Sequence, residues 1–488
     1  MKKYRNFLLG FGILLIVPLF FLISAQFIFF DMNKQARDAA FSWAQQEMTF
    51  GEYDSAELKK AIKQTVNIHT MCTTLEEEGS LALDEICSTA KTLRYFNSFA
   101  LAVMLLALFS ALITCALARF AEKNRLLLLL SFKSVFFVLA ICSIVLLLGQ
   151  SILLCSAIFY LMLYFTGYVA PKLLIIIAAI GLFTSISILK TLVRRIKAQN
   201  VVVGCAVSKK EQPKLWEFVR DTAKKFNATA PKNIVLGLGC NFYVTEADVL
   251  CLSGKLTGRT LFLSISCLKN FSQHELEAII IHELSHFEGK DTVFGLRLHP
   301  TWQKTHSVVA NISSTDSALL IPFQLVFAGF VTLFAEAYGK FSKQSEEAAD
   351  KNAARIVSNK DIASALVKLN LFSLYWRQVE RDSVELVKDG KCLTNKSLAF
   401  CELLTTTKLN RADMTKALQL EEKSLPADSH PSLGERLEYL GVDATKVLPN
   451  VYKTENDSSV AVLIESIDKI SEELSAASNH LLFKGIKI

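Results

Sequence analysis

The stretch Ser272-Gln273-His274-Glu275-Leu276-Glu277-Ala278-Ile279-Ile280-Ile281-His282-Glu283-Leu284-Ser285-His286 decides how the second half of this chain is read. Ser272 followed three residues later by Glu275 is a capping box, each side chain satisfying an orphan N–H at a helix start. Leu276, Ile279, Ile280 and Leu284 recur at helical spacing and predict a face anchored in a core. His282 and His286 are four apart, so both imidazoles project from one side of the helix and reach one ion. Zinc suits imidazole, and a catalytic zinc takes three protein ligands and keeps a fourth position for water. Glu283, beside the first histidine, is placed to accept a proton from that water, whose pKa the metal lowers to about 7. The reading is a hydrolase with one Zn2+ per chain. A chance match would have to fall on a capped, apolar helix in a chain with only 8 histidines.

Two histidines leave a zinc under-coordinated, so a third protein ligand is required. Ser342-Lys343-Gln344-Ser345-Glu346-Glu347-Ala348-Ala349-Asp350 lies on a later helical pattern continuing through Ala353, Ala354 and Ile356. By spacing alone Glu346 and Glu347 compete, and a solvated acidic face is the plain alternative.

Together these segments resemble the HtpX and CAAX prenyl protease family of membrane zinc metallopeptidases, which are gluzincins. That family carries HExxH on one helix and S-R-x-x-E-x-x-A-D on a later one; here Lys343 replaces the arginine. The resemblance implies that Glu346 is the third ligand and that Asp350 orients His282 or its helix. His430-Pro431-Ser432-Leu433-Gly434-Glu435-Arg436-Leu437 resembles the family's late HP-x-x-x-x-R motif. It implies that His430 faces the metal site and Arg436 supports it, either being able to stabilise a tetrahedral oxyanion. Taken alone, the segment is a helix start with a proline near its first turn and a surface arginine. Asn241-Phe242-Tyr243 resembles the family's N-A-F stretch before an edge strand, with Phe242 in place of the small residue. Asn241 and Phe242 would then contact an extended substrate peptide added to that strand, the alternative being an ordinary core strand. The resemblance spans roughly residues 201–440 and implies a zincin-like domain, protein or peptide substrates, and a role in membrane-protein quality control.

Working outward, residues from about Gln199 read as an α+β domain. Val201–Val207, Asn233–Leu238, Asn241–Cys251 and Thr260–Ile265 predict strands, with Gly254 and Gly258 marking a turn. Leu215, Phe218, Val219 and Phe226 predict a helix behind Pro213.

The first half is a membrane sequence. Of 488 residues, 51% are hydrophobic and 20% charged, a balance that excludes disorder and argues against a purely soluble chain. After Lys2-Lys3-Tyr4-Arg5, an apolar run from Phe7 to Phe30 is long enough to span and too long for a cleaved leader, with Pro18 inside it. Asp31–Asn97 is polar and reads as an outside loop, where Cys72 and Cys87 are candidates for a bridge. Phe99–Leu117 predicts a second span, followed by the basic residues Arg119, Lys123 and Arg125. Leu126–Val169 is long for one helix and tight for a hairpin; Leu173–Val193 follows, closed by Arg194, Arg195 and Lys197. These basic flanks favour four crossings, with the catalytic half on the cytoplasmic face of a bacterial inner membrane. Cys205, Cys240, Cys251, Cys267, Cys392 and Cys401 show no tight spacing and are expected as free thiols, as a reducing compartment favours.

The expected organisation is therefore a first span over residues 1–30, an extracytoplasmic loop over 31–97, transmembrane helices over 98–198 and a metallopeptidase domain over 199–488. Leu319–Ala335 is also apolar, yet one crossing there would separate His286 from Glu346, so a helix packed in the domain or dipping into the bilayer is expected. His274 reads as solvated, and His299 and His306 as loop residues. The net charge of +7 is spread over clusters that flank apolar runs, so no nucleic-acid partner is expected. A transporter lacks the inverted hydropathy repeat, with Lys133 the clear mid-span charge. A catalytically silent scaffold on the same fold is the remaining alternative, but it would be expected to have lost Glu283 or a ligand, and neither is missing.

Overall fold

The computed structural model describes residues 4–47, 55–77, 84–193, 199–313, 320–407, 430–443, 447 and 459–484. The chain divides into two compact units. One comprises Met1–Phe120, Leu130–Arg195 and Gln303–Leu333; the other comprises Ala121–Leu129, Ile196–Trp302 and Phe334–Ile488.

The first unit is helical. Among the described residues five helices are long and apolar enough to cross a membrane: Arg5–Gln46, Ile86–Ala121, Arg125–Thr166, Pro171–Val193 and Ile321–Ile356. The ambiguous stretch after Leu126 is one helix of 42 residues, Arg125–Thr166, so four such helices precede residue 199. The first of them breaks at Leu15, between α1 (Arg5–Leu14) and α2 (Ile16–Glu47). Pro18 has no N–H to offer the Leu14 carbonyl. Gln150 satisfies that carbonyl instead, its Nε2 donating at 2.7 Å from a buried position. In a lipid-facing body such an orphan would cost several kcal/mol. The Asp31–Asn97 stretch is largely helical, holding the end of α2, then α3 (Ser55–Thr65), α4 (Ile68–Glu77) and the start of α5 (Asp84–Ala121). Cys72 and Cys87 are bridged there, Cα atoms 5.5 Å apart.

The apolar run near residue 320 belongs to this unit. Gly329 lets a helix pass close, since a Cβ on it would lie 2.6 Å from Phe7 Cβ. Phe330 stacks on Phe132 at 5.2 Å. Residues 303–313 join it, with Lys304 Nζ donating to the Leu192 carbonyl at 2.8 Å and Asn311 to Thr191 at 3.1 Å. Within the stretch 199–488, residues 303–333 group with the apolar helices. One correction follows. His299 and His306 lie on a helix, Asp291–Ser313, rather than in a loop.

The second unit is α+β. Strands β1 (Gln199–Val201), β5 (Asp248–Cys251) and β6 (Gly254–Leu256) form a three-stranded sheet; β2 (Gly204–Val207), β3 (Asn233–Gly237), β7 (Thr260–Ser264) and β4 (Tyr243–Thr245) form a four-stranded one, with β4 on its edge. The expected strands Val201–Val207 and Asn241–Cys251 are each cut in two, because the chain changes sheet within them: Val201 pairs with Leu250, whereas Gly204 pairs with Gly237. Period-2 alternation cannot report such a switch.

The helix Gln273–Glu288 is α10, following α6 (Arg125–Thr166), α7 (Pro171–Val193), α8 (Pro213–Lys225) and the short α9 (Ile265–Leu268), and its capping box is formed. Glu275 does more than cap. It also accepts from Lys368 Nζ at 2.8 Å and Ser364 Oγ at 2.5 Å, on the helix Asn359–Lys388. Lys368 is 1% exposed, so losing either partner would strand a buried charge at about 3–5 kcal/mol. This pair pins the start of α10.

The expectation of free thiols also needs correcting. Cys240 and Cys267 are paired, Cα atoms 5.9 Å apart. The antiparallel pairing of β4 with β7 brings the residue ahead of one strand beside the helix that follows the other. Cys205, Cys251, Cys392 and Cys401 are free.

Candidate metal centre

Two helices build the centre. α10 presents His282 and His286, and the later helix Ile321–Ile356 presents Glu346 and Asp350, again four apart. His282 Nε2 and His286 Nε2 are 3.3 Å apart. Glu346 Oε2 is 3.5 Å from the first and its Oε1 is 3.5 Å from the second. Tetrahedral zinc with bonds near 2.0–2.1 Å has ligand atoms roughly 3.3 Å apart, so the three side chains fit such an ion. Among the described residues this is the group of histidine, cysteine and acidic side chains that could hold a metal ion. Glu347 faces the other way and pairs with Lys351 at 2.5 Å on the exposed face. The two competing carboxylates are thus separated by one residue's rotation about the helix.

Both imidazoles are backed by a carboxylate. Asp350, fully buried, lies 2.8 Å from His282 Nδ1, although the ring N–H does not point straight along that line. Arg436 grips Asp350 with two bonds, Nε at 2.8 Å and an Nη at 2.6 Å, and the Tyr439 hydroxyl donates to it as well. The guanidinium also lies 3.6 Å from Glu346. Arg436 is therefore committed to carboxylates, and its place is behind His282. Its helix, Leu433–Tyr439, has the capping box Ser432–Glu435.

On the other side, His286 Nδ1 is 3.1 Å from Asp291. Gly289 closes α10, and Lys290, in a left-handed conformation (φ 59°), reverses the chain to bring Asp291 back. Asp291 also binds Ser345 and Arg125. Arg125 further donates to Ser345 Oγ at 2.7 Å and to the Gly289 carbonyl at 3.2 Å. Sequence reading singled out neither Asp291, Ser345 and Tyr439 nor any site role for Arg125. Tyr439 had a signal, three residues after Arg436 on one helix face; Asp291 had none, lying past the helix end.

Charges follow burial and partners. Burial alone would lower the His282 pKa, but Asp350 and Glu346 reverse this and push it up to about 10. Burial raises Glu346, yet His282, His430 and Arg436 hold it far below the usual carboxylate range. Asp350 is likewise held down, burial being outweighed by Arg436 and His282. Glu283 goes the other way: burial raises its pKa, only partly countered by the two histidines. A carboxyl shifted upward is the better proton acceptor at neutral pH.

A cavity of about 430 Å³ opens on this group. Phe242, Ile279, Leu366 and Leu369 contribute apolar wall, as do Tyr338 and Phe341. His430 lies at the cavity, 64% exposed at its side chain, with Nδ1 3.1 Å from Glu346 Oε1. Asn241 is exposed and precedes the free edge of β4, whereas Phe242 is buried and packs edge-on against Phe271 at 5.8 Å. His274 is exposed.

Residues 209–442 match the family model described as Peptidase family M48. Over 308 residues the chain is 24% identical to a protein named Protease HtpX homolog from Archaeoglobus fulgidus, covering 61% of this chain and 85% of that protein.

Proposed function

We propose that this HtpX-like membrane metallopeptidase, whose residues 209–442 form a peptidase family M48 domain, holds one zinc ion between His282, His286 and Glu346 and hydrolyses peptide bonds of membrane or membrane-adjacent proteins. The observation that carries the reading is the convergence of the two Nε2 atoms, 3.3 Å apart, with the Glu346 carboxylate, a different oxygen of which lies 3.5 Å from each. Zinc held by these three side chains would supply Lewis-acid polarisation of a water and of the scissile carbonyl. Glu283 takes the proton of the attacking water and returns it to the leaving amine nitrogen. His430 donates to the developing oxyanion from the cavity side. Asp350, gripped by Arg436, holds the His282 ring so that its Nε2 faces inward. The substrate lies extended along the free edge of β4 past Asn241, with side chains against the apolar cavity walls. A membrane-protein quality-control role, implied by the HtpX resemblance, completes the proposal.

Full-length protein purified in detergent tests this. The expected result is close to one zinc per chain and casein cleavage that chelation abolishes and zinc restores. Cleavage by a metal-free preparation would sink the reading.

The catalytic half is proposed to face the cytoplasm, opposite Cys72–Cys87. Basic flanks and the four apolar helices ahead of residue 199 support this. The cysteines do not add to it, because Cys240 and Cys267 are paired. Single-cysteine reporters at Ser55 and at Ser458, the latter outside the described residues, separate the alternatives in unbroken cells. An impermeant maleimide should label Ser55→Cys alone; labelling of Ser458→Cys would invert the topology.

A further inference from the structure

His286 has its own carboxylate partner, built differently from that of His282. A ring that donates from Nδ1 leaves Nε2 free to bind a metal, and the acceptor fixes the ring's rotation and raises its basicity. Asp291 accepts at 3.1 Å from His286 Nδ1, while His286 Nε2 is the atom turned toward His282 and Glu346. Asp291 is in turn held by Ser345, one residue before Glu346, and by Arg125. The arrangement repeats the order found on the other side, where histidine, Asp350 and Arg436 follow one another. The left-handed Lys290 is a further sign, since a non-glycine residue takes that conformation at a cost and here it returns Asp291 to the site.

We infer that Asp291 is a positioning residue for His286, with Arg125 and Ser345 fixing its carboxylate, and that this second carboxylate–histidine pair sets how tightly the site holds its metal. The inference rests on the reading of His282, His286 and Glu346 as metal ligands. Asp291 touches no substrate in this assignment; it acts through the ring it orients. Arg125, read from sequence as a flanking charge of an apolar helix, acquires a second task, because without it the Asp291 carboxylate keeps, among the described residues, Ser345 and His286.

The test is zinc affinity of the full chain in detergent, by competition with a chromophoric chelator, together with the visible spectrum of the cobalt-loaded protein. Asp291→Ala should weaken zinc binding about 10–100-fold, the range for loss of such a partner. Asp291→Asn, which keeps an acceptor but loses the charge, and Arg125→Met should each weaken it several-fold. Asp291→Glu should recover part of the loss, which a merely structural role would not produce. The cobalt bands should shift in Asp291→Ala, reporting a turned ring. The near-isosteric Asp291→Asn guards against misfolding of the alanine variant. Zinc affinity within twofold of wild type and an unchanged cobalt spectrum in Asp291→Ala and Asp291→Asn would overturn the inference and leave the zinc reading standing. A wild-type chain that binds neither metal would overturn both.

Discussion

Glu283→Gln is expected to lower casein hydrolysis about 1000-fold, near 4 kcal/mol of barrier, and to leave zinc content unchanged. The side chain is buried at 9% exposure and its pKa is raised by that burial, so the carboxylate is poised to gain a proton. It is not one of the three groups whose donor atoms converge. The amide keeps the shape and can still accept a hydrogen bond, but it cannot take the proton. Turnover and bound metal are measured on the same preparation. Near-normal turnover would end the general-base assignment; loss of zinc would make Glu283 a ligand.

The second large effect separates neighbours on one helix. Glu346→Ala should lose zinc, while Glu347→Ala should keep it. Structural zinc sites bind with roughly 10–16 kcal/mol spread over four ligands, so one ligand is worth about 3 kcal/mol, or roughly 100-fold in affinity. Glu346 is 4% exposed and also faces His430 and Arg436, so its removal takes an acceptor from His430 and leaves Arg436 with Asp350. Glu347 loses only its exposed pair with Lys351, worth well under 1 kcal/mol. Reversed metal contents would move the third ligand to Glu347.

What could be read without coordinates was local. The capping box at Ser272, the apolar face of α10 and the paired histidines all lie within one helix, where spacing is geometry. The choice of Glu346 over Glu347 needed the family pattern, because either could face inward until the helix is rotated into place. Asp291 was out of reach: its approach to His286 depends on Lys290 reversing the chain, and its partner Arg125 stands 166 residues earlier. Cys240 and Cys267 were misread for the same reason, their meeting being a product of strand pairing. The apolar stretch after Leu126 had the length of neither one span nor two, and composition cannot tell a long helix from a short hairpin.

The two site helices share a property that bears on how such a chain can drift. His282 and His286 on one, and Glu346 and Asp350 on the other, are each separated by three residues. One residue is about 100° of rotation and 1.5 Å of rise. Apart from Glu283 and the buried Leu284 and Ala349, the intervening positions can therefore change identity but not number. A single-residue deletion between Glu346 and Asp350 would swing the carboxylate about 100° off the His282 ring while every ligand type remained present. Outside its ligands and Glu283 the centre thus tolerates changes of spelling and is brittle toward insertions and deletions, so frame-preserving losses of one codon inside either interval should dismantle it even where every ligand type remains.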